Sequence, residues 1–154
     1  MTTTFSNAAL IRRAREDIGY SQRALAEAAG LRQPNLAAIE SGSREVSPDL
    51  VSRILSAARL RPSIPLEIHA ARIRELAESF GLHDVRVFGS TVRGTDTERS
   101  DIDLLVRADD DVDFLRLAAF RGAAEDILGF PVDAVIDDPR SAAVRLIREQ
   151  AVPL

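Results

Sequence analysis

Apolar residues recur at helical spacing through the first sixty residues of the chain. Every third or fourth position is apolar over residues 7–18, 22–29 and 34–40, and again after Ser47. Ser21 and Ser47 precede two of these segments and suit helix N-caps, because a serine oxygen accepts a hydrogen bond from a first-turn amide. Gly30 ends the second segment and supplies the positive φ that many helix C-termini need. The pattern predicts a small bundle of four short helices.

The second half of the chain alternates between helical and extended patterns. We predict helices at residues 66–80, 114–128 and 141–150, a short helix or turn at 91–94, and strands at 85–88, 102–106 and 131–136. Between the halves, Pro62 and Pro65 are expected to stop a helix and favour an extended, semi-rigid segment. The predicted fold class is therefore two small domains. They are an all-α bundle at residues 1–61, a proline-containing linker at 62–65, and an α/β domain with a small mixed sheet at 66–154.

Composition excludes several classes of protein. The 154 residues, 45% of them apolar, suffice for one ordinary domain or two very small ones. With no cysteine, disulfides, zinc ribbons, iron–sulfur clusters and a thiol nucleophile are excluded, and His69 and His83 are too few for a multi-histidine metal site. No apolar stretch approaches eighteen residues, and the first ten residues lack a signal pattern, so we expect a cytoplasmic protein with no membrane partner.

The two halves differ in charge, and all twenty basic residues of the chain are arginines. Residues 1–65 hold nine arginines against six acids, whereas residues 66–154 hold eleven arginines against eighteen acids. A mildly basic first half can approach nucleic acid, because arginine neutralises phosphates. An acidic second half repels phosphate unless a divalent cation intervenes.

Three aspartates in the second half carry the candidate chemistry. Asp101 and Asp103 are two residues apart, so on a strand both face the same side, about 7 Å from each other. Asp133 interrupts an apolar strand, where a carboxylate is costly unless it is paired or metal-bound. Such oxygen ligands suit Mg²⁺, which also binds substrate phosphates. Gly89 and Ser90, at a strand end, offer amide groups and a hydroxyl to a phosphate, so the pattern indicates nucleotide chemistry.

Other interpretations of these acids remain open. Asp133 can instead be an edge-strand acid paired with an arginine, and the three acids can be the remnant of an inactive site. A run of four further acids follows the second predicted strand: Asp109, Asp110, Asp111 and Asp113. We interpret that run as a solvated loop and helix N-terminus rather than a site.

The first half resembles a known family. A short turn between two short helices is typical of a helix-turn-helix, and SQRALAEAAGLRQPNLAAIESGSREVSPDLVSRIL is similar to XRE/Cro-type helix-turn-helix domains over nearly its whole length. The resemblance implies that the third helix enters the DNA major groove. Gln33 and Asn35 would then reach base edges or phosphates. The side chains expected on the phosphate backbone are Gln22, Arg32, Ser43 and Arg44. The alternative is that Arg32 and Arg44 are solvated charges and Gln33 only caps a helix.

The second half resembles the nucleotidyltransferases of the DNA polymerase β superfamily, and most strongly the minimal nucleotidyltransferases of bacterial toxin–antitoxin loci. The motif is RVFGSTVRGTDTERSDIDLLV, and the later GFPVDAVIDD matches the place of the family's third acid. The resemblance implies a palm-like domain in which Asp101 and Asp103 ligate two Mg²⁺ ions that hold the triphosphate of ATP. Asp133 would act on the attacking hydroxyl, either through a shared metal or by taking its proton. The expected nucleotide-binding residues are Gly89, Ser90, Arg93 and Ser100, the last as a cap or orienting group for the strand.

Together the resemblances imply a DNA-binding antitoxin. It would transfer AMP from ATP to a cognate toxin, expected to be a HEPN-type RNase, and repress its own operon by binding operator DNA as a homodimer or within a toxin–antitoxin hetero-oligomer. One alternative is a non-catalytic repressor that masks the toxin stoichiometrically or senses nucleotide. Transfer to a small molecule is a further alternative, although the domain is small for such a pocket.

Overall fold

The computed structural model describes residues 6–154, in which a helical region precedes an α/β region. The helical region contains α1 (Asn7–Asp17), α2 (Gln22–Ala28), α3 (Gln33–Glu40) and α4 (Pro48–Ala57). The α/β region contains α5 (Ser63–Ser79), β1 (Leu82–Phe88), α6 (Ser90–Arg93), β2 (Ile102–Ala108), α7 (Phe114–Leu128), β3 (Val132–Ile136), α8 (Ala142–Gln150) and β4 (Val152–Pro153). None of these helices is long and apolar enough to cross a lipid bilayer. Residues 1–5, where we expect no signal pattern, lie outside the described residues.

The helical region folds around one apolar cluster, to which all four helices contribute. Its fully buried large side chains are Ile11, Leu25, Leu36, Ile39 and Ile54. Both predicted N-caps are present, because the hydroxyl oxygens of Ser21 and Ser47 accept hydrogen bonds from first-turn amides of α2 and α4. Gly30, with φ of +69°, makes the turn between α2 and α3. The predicted four-helix bundle is confirmed.

A four-stranded mixed sheet in the order β3-β2-β1-β4 forms the centre of the α/β region. β1 pairs antiparallel with both β2 and β4, whereas β2 and β3 run parallel. The predicted small mixed sheet is confirmed, and β4 is an addition that the sequence pattern did not show. β3 and β4 are the two edges, so α8, which joins them, crosses the sheet.

The sheet is buried on one face beneath α5 and α7. On β2 the buried residues Ile102, Leu104 and Val106 alternate with residues of the other face. These three pack in one cluster with α5 and α7, where Phe120 of α7 lies edge-on to Phe80 with 6.1 Å between ring centroids. The alternation directs Asp103, between two core residues of β2, to the opposite face.

The segment at residues 62–65 is not the extended linker that the prolines suggested. Pro62 has helical backbone angles (φ −56°, ψ −34°), α5 begins at Ser63, and Pro65 lies in its first turn. Proline is tolerated there because first-turn amides have no partner within the helix. The amide of Ser63 donates instead to the carboxylate of Asp96, at 2.9 Å. The predicted extended spacer is therefore wrong, whereas the domain boundaries on either side stay predictions.

Candidate active site

The three predicted aspartates lie at the sheet face opposite α5 and α7 and at the loop that enters it. Asp103 on β2 is paired in register with Asp133 on the parallel neighbour β3, and side chains at paired positions of adjacent strands point to the same face. Asp101 lies two residues before Asp103, immediately ahead of β2, and its charge acts on the Asp103 carboxyl. Asp101 and Asp133 are exposed and Asp103 is half-buried. The result is a row of carboxylates across two strands, open to solvent.

The electrostatics of Asp103 reflect this crowding. Burial raises the pKa of its carboxyl, and the negative charges of Asp101 and Asp133 raise it further, while Arg93 opposes them. The direction of this shift agrees with the in-register pairing of Asp103 and Asp133. Arg93, on α6, contributes positive charge to the surroundings of Asp103.

Gly89 packs directly against the acids. Its backbone adopts φ +77° and ψ −148°, a region open almost only to glycine, and a Cβ built there would lie 2.2 Å from Oδ2 of Asp103. The turn that leads into α6 therefore touches the Asp103 carboxylate through bare backbone. Ser90 begins α6 from this turn. The structure thus places Gly89 beside Asp103, whereas phosphate binding by Gly89 and Ser90 stays a prediction.

Ser100 shapes the loop that enters β2. Its hydroxyl oxygen accepts a hydrogen bond from the amide of Thr97 at 3.0 Å, and its own amide donates to the carbonyl of Thr97 at 2.9 Å. These two bonds close a turn directly before Asp101. In this geometry Ser100 supports the carboxylate-bearing segment, and a nucleotide-binding role for it stays a prediction.

Asp133 has an arginine partner that the sequence analysis did not name. Nη2 of Arg121, on α7, lies 3.2 Å from Oδ1 of Asp133, and Nε of Arg121 donates to the carbonyl of Val132 at 3.1 Å. Asp133 is also on an edge strand, so the alternative of an arginine-paired edge acid describes its surroundings correctly. The two side chains are 39% and 51% exposed, and exposed pairs of this kind are weak. The pair therefore leaves Asp133 available to a stronger ligand.

The donor set fits a divalent cation of the Mg²⁺ class. All three groups are carboxylates, the ligands that hard cations prefer, and the Gly89 turn approaches Asp103 through backbone alone. Within residues 6–154, however, no three His, Cys, Asp or Glu side chains are already grouped as a complete metal site. Oδ1 of Asp133 faces Arg121, so an ion shared by all three acids would compete with that arginine for this oxygen.

The rest of the acid run behaves as predicted for a solvated loop. Asp109, Asp110, Asp111 and Asp113 are exposed. Asp113 caps α7, since its Oδ1 accepts a hydrogen bond from the amide of Arg116 at 2.8 Å. This run is therefore part of a helix start and lies at the opposite end of β2 from Asp101.

Comparison with known proteins agrees with this geometry. Residues 70–152, more than half of the chain, match the family model described as a nucleotidyltransferase domain. The chain belongs to the nucleotidyltransferase domain family. The prediction that it is a nucleotidyltransferase is confirmed, and residues 11–63 match a helix-turn-helix family model, which confirms the other resemblance.

Relatives of the nucleotidyltransferase domain include named protein adenylyltransferases. Protein adenylyltransferase MntA of Thermococcus cleftensis is 39% identical over 69 residues, which cover 45% of this chain and 70% of that protein. A solved structure described as a candidate minimal nucleotidyltransferase aligns with 58% of this chain and 95% of its own, at 36% identity and a TM-score of 0.50. A toxin–antitoxin structure with AMP-PNP aligns with 54% of this chain and 69% of its own, at 26% identity and a TM-score of 0.49, which is too low to place this chain in such a complex.

In the helix-turn-helix domain, the structure brings two predicted DNA-contacting residues together. Nε2 of Gln33, at the start of α3, donates to Oε1 of Gln22 at 3.1 Å, and Nε2 of Gln22 donates to Glu40 at 2.9 Å. Of the other predicted residues, Arg32, Ser43 and Arg44 are exposed and Asn35 is half-buried. The hydroxyl of Ser43 is engaged with the carbonyl of Ala38 at 3.1 Å. DNA contacts by these side chains stay predictions.

Glu40 is buried beneath Gln22 and supports it, a role that the sequence analysis did not identify. It is 3% exposed and receives two hydrogen bonds from Arg15, at 2.7 and 3.0 Å. Burial alone would raise the pKa of Glu40, but the hydrogen bonds from Arg15 and Gln22 and the nearby arginine charges outweigh burial and lower the pKa. The available signal was a glutamate directly after the buried Ile39, where a lone charge requires a partner.

Proposed function

We propose that this chain transfers AMP from ATP to a hydroxyl group on another protein. The observation that carries the proposal is the in-register pairing of Asp103 with Asp133, with Asp101 and the Gly89 turn beside them. The relatives named as protein adenylyltransferases support the same reaction. The open position of the acids suits an acceptor presented by a macromolecule, because Asp101 and Asp133 are exposed at the surface.

Each residue of the site has a role in this reaction. Asp101 and Asp103 hold the cations, and a divalent ion supplies charge neutralisation for the triphosphate. The turn at Gly89 and Ser90 holds the β- and γ-phosphates, and Arg93 adds positive charge near them. The acceptor oxygen bonds to the α-phosphorus while the bond from that phosphorus to the α–β bridging oxygen breaks, and pyrophosphate leaves. Asp133 receives the proton of the attacking hydroxyl.

The acceptor that we propose is the cognate toxin, an RNase of the HEPN type, which modification would silence. This step comes from the resemblance to minimal nucleotidyltransferases of toxin–antitoxin loci. The helix-turn-helix domain would bind the operator through the surface of Gln22, Gln33 and Arg44, as a homodimer or with the toxin. The protein would thus act as an antitoxin and as the repressor of its own operon.

The experiment combines the protein, ATP labelled at the α-phosphate, Mg²⁺ and the product of the neighbouring gene. We expect label on that product, with no transfer by the Asp101→Asn/Asp103→Asn variant. Asp110→Asn is the matched control, because Asp110 is an exposed acid of the same domain outside the site. Undiminished labelling by the double variant would refute the proposal.

A second candidate function, stoichiometric masking of the toxin without catalysis, is favoured by one observation. Asp133 is already paired with Arg121, and the acids are not grouped as a complete metal site among the described residues. Growth of cells that express the toxin separates the two functions. Protection by the Asp101→Asn/Asp103→Asn variant equal to that of the wild type indicates masking, whereas lost protection with retained toxin binding indicates catalysis.

A further inference from the structure

Asp96 is a buried carboxylate that the proposed reaction does not use. In the part of the chain that the structure describes, Glu40 and Asp96 are the buried charged residues. Glu40 is accounted for by the helix-turn-helix domain. Asp96, 6% exposed, lies in the loop between α6 and β2, which joins the phosphate-binding turn to the acids. Because a buried charge is costly without partners, the partners of Asp96 show what it holds in place.

The partners of Asp96 lie at the junction between the two domains. Its Oδ2 accepts the amide of Ser63, the first residue of α5, at 2.9 Å, and its Oδ1 accepts from Nη1 of Arg61 at 2.9 Å. Nε and Nη2 of the same arginine donate to Asp17, at the end of α1, at 2.8 and 2.7 Å. Asp96 therefore fixes its loop to the base of α5 and to Arg61, which also forms an ion pair with the helix-turn-helix domain.

A hydrogen-bonded turn connects the anchored Asp96 to the acids of the candidate active site. Thr97 follows Asp96, and the reciprocal bonds between Thr97 and Ser100, at 3.0 and 2.9 Å, close the turn. Asp101 is the next residue. Few torsions are therefore free between the anchored Asp96 and the carboxylate of Asp101.

We propose that Asp96 is a positioning residue of the nucleotide site, which holds the loop at residues 97–100 so that Asp101 faces Asp103. The role rests on the proposed function, because Asp101 matters to nucleotide only if it binds the cation. Removing a group that orients a metal ligand typically weakens metal binding about 10–100-fold. We expect Asp96→Asn to weaken binding of Mg²⁺ with nucleotide by at least about tenfold.

The test measures binding and loop protection separately. Calorimetry of the full chain with Mg²⁺ and α,β-methylene-ATP, which nucleotidyl transfer cannot cleave, gives the affinity. Hydrogen exchange of the ligand-free protein gives the protection of the amides of Thr97 and Ser100. Asp96→Asn is expected to bind more weakly and to exchange these amides faster. Glu67→Gln is the matched control, because it removes another ion pair across the junction, Arg13–Glu67 at 3.0 Å, that does not touch the loop.

Wild-type affinity in a cooperatively folded Asp96→Asn variant, or unchanged exchange of the two amides, would overturn the proposal. If the wild type itself binds no nucleotide, the proposed function fails, and the exchange measurement still decides whether Asp96 holds the loop. Should Asp96→Asn not fold, Arg61→Gln removes one of the two hydrogen bonds of Asp96, together with the ion pair to Asp17, from a side chain that is 31% exposed. Unchanged exchange of the Thr97 and Ser100 amides in that variant, or faster exchange with undiminished nucleotide affinity, would equally overturn the proposal.

Discussion

Replacing Gly89 with alanine tests the contact on which the site is built. The new Cβ would lie 2.2 Å from Oδ2 of Asp103, where real Cβ atoms keep at least 3.0 Å, so the carboxylate must retreat by roughly the 0.8 Å between them. The backbone at φ +77° and ψ −148° adds strain of about 1–3 kcal/mol for a non-glycine residue. A displacement near 1 Å at a catalytic group costs about 100-fold in rate. We expect Gly89→Ala to lose about 1–3 kcal/mol of unfolding free energy and about 100-fold in AMP transfer.

Urea denaturation and initial rates of AMP transfer measure the two effects. Gly129→Ala is the matched control, because Gly129 has φ +73° but nothing within 4 Å of its Cβ position. That variant also places alanine at positive φ, but in the milder left-handed region (ψ 14°) and without the clash, so it should lose less stability and keep its transfer rate. A folded Gly89→Ala variant that transfers AMP within about threefold of the wild-type rate, where about 100-fold loss is expected, would refute the role given to this contact.

Three further predictions concern DNA binding and pH. Gln33→Ala with Arg44→Ala should weaken operator binding in gel-shift titrations and reduce the salt slope by about one, whereas wild-type binding that is flat with salt would refute the DNA surface. Glu40→Gln breaks a buried ion pair and should cost about 3–5 kcal/mol. Because folding lowers the pKa of Glu40, its contribution to the free energy of unfolding is present above pH 4.5 and is lost as the pH falls further. Thermal unfolding of the variant at acid pH should therefore not show this loss of stability. The His83 ring donates hydrogen bonds to the carboxylates of Asp109 and Glu78, and these raise its pKa. The stabilisation is therefore present below pH 6.5 and lost as pH rises through the raised value. His83→Gln should flatten that part of the stability profile, and an unchanged profile would show that the pair contributes nothing.

Local signals explain which parts of the fold the sequence could predict. The N-caps at Ser21 and Ser47 act on amides three residues away, so the starts of α2 and α4 could be read from the chain. The start of α5 could not, because its first amide is bound by Asp96, 33 residues distant, and the prolines alone suggested an extended segment. The strand β4 has only two residues, and its extended form depends on pairing with β1.

The acids of the site could be predicted for similar reasons, but the residues that hold them in place could not. Asp101 and Asp103 follow the two-residue period of a strand, and Asp133 stands out in an apolar run. The register that pairs Asp103 with Asp133 depends on how β2 and β3 align, which no local pattern specifies. Arg121 and Asp96 act on partners that are close only in the folded chain, so their surroundings in the sequence gave no signal.

The rigid start of α5 has a geometric consequence for the assembled protein. The 17-residue α5 runs as one rod of about 25 Å from the junction to the sheet, with Arg61 bracing its base against α1. Swinging one domain relative to the other would require that brace to break or the first helical turn to unwind. Two copies bound to neighbouring operator half-sites, as proposed above, would then hold their nucleotidyltransferase domains at a spacing set by the DNA helical repeat.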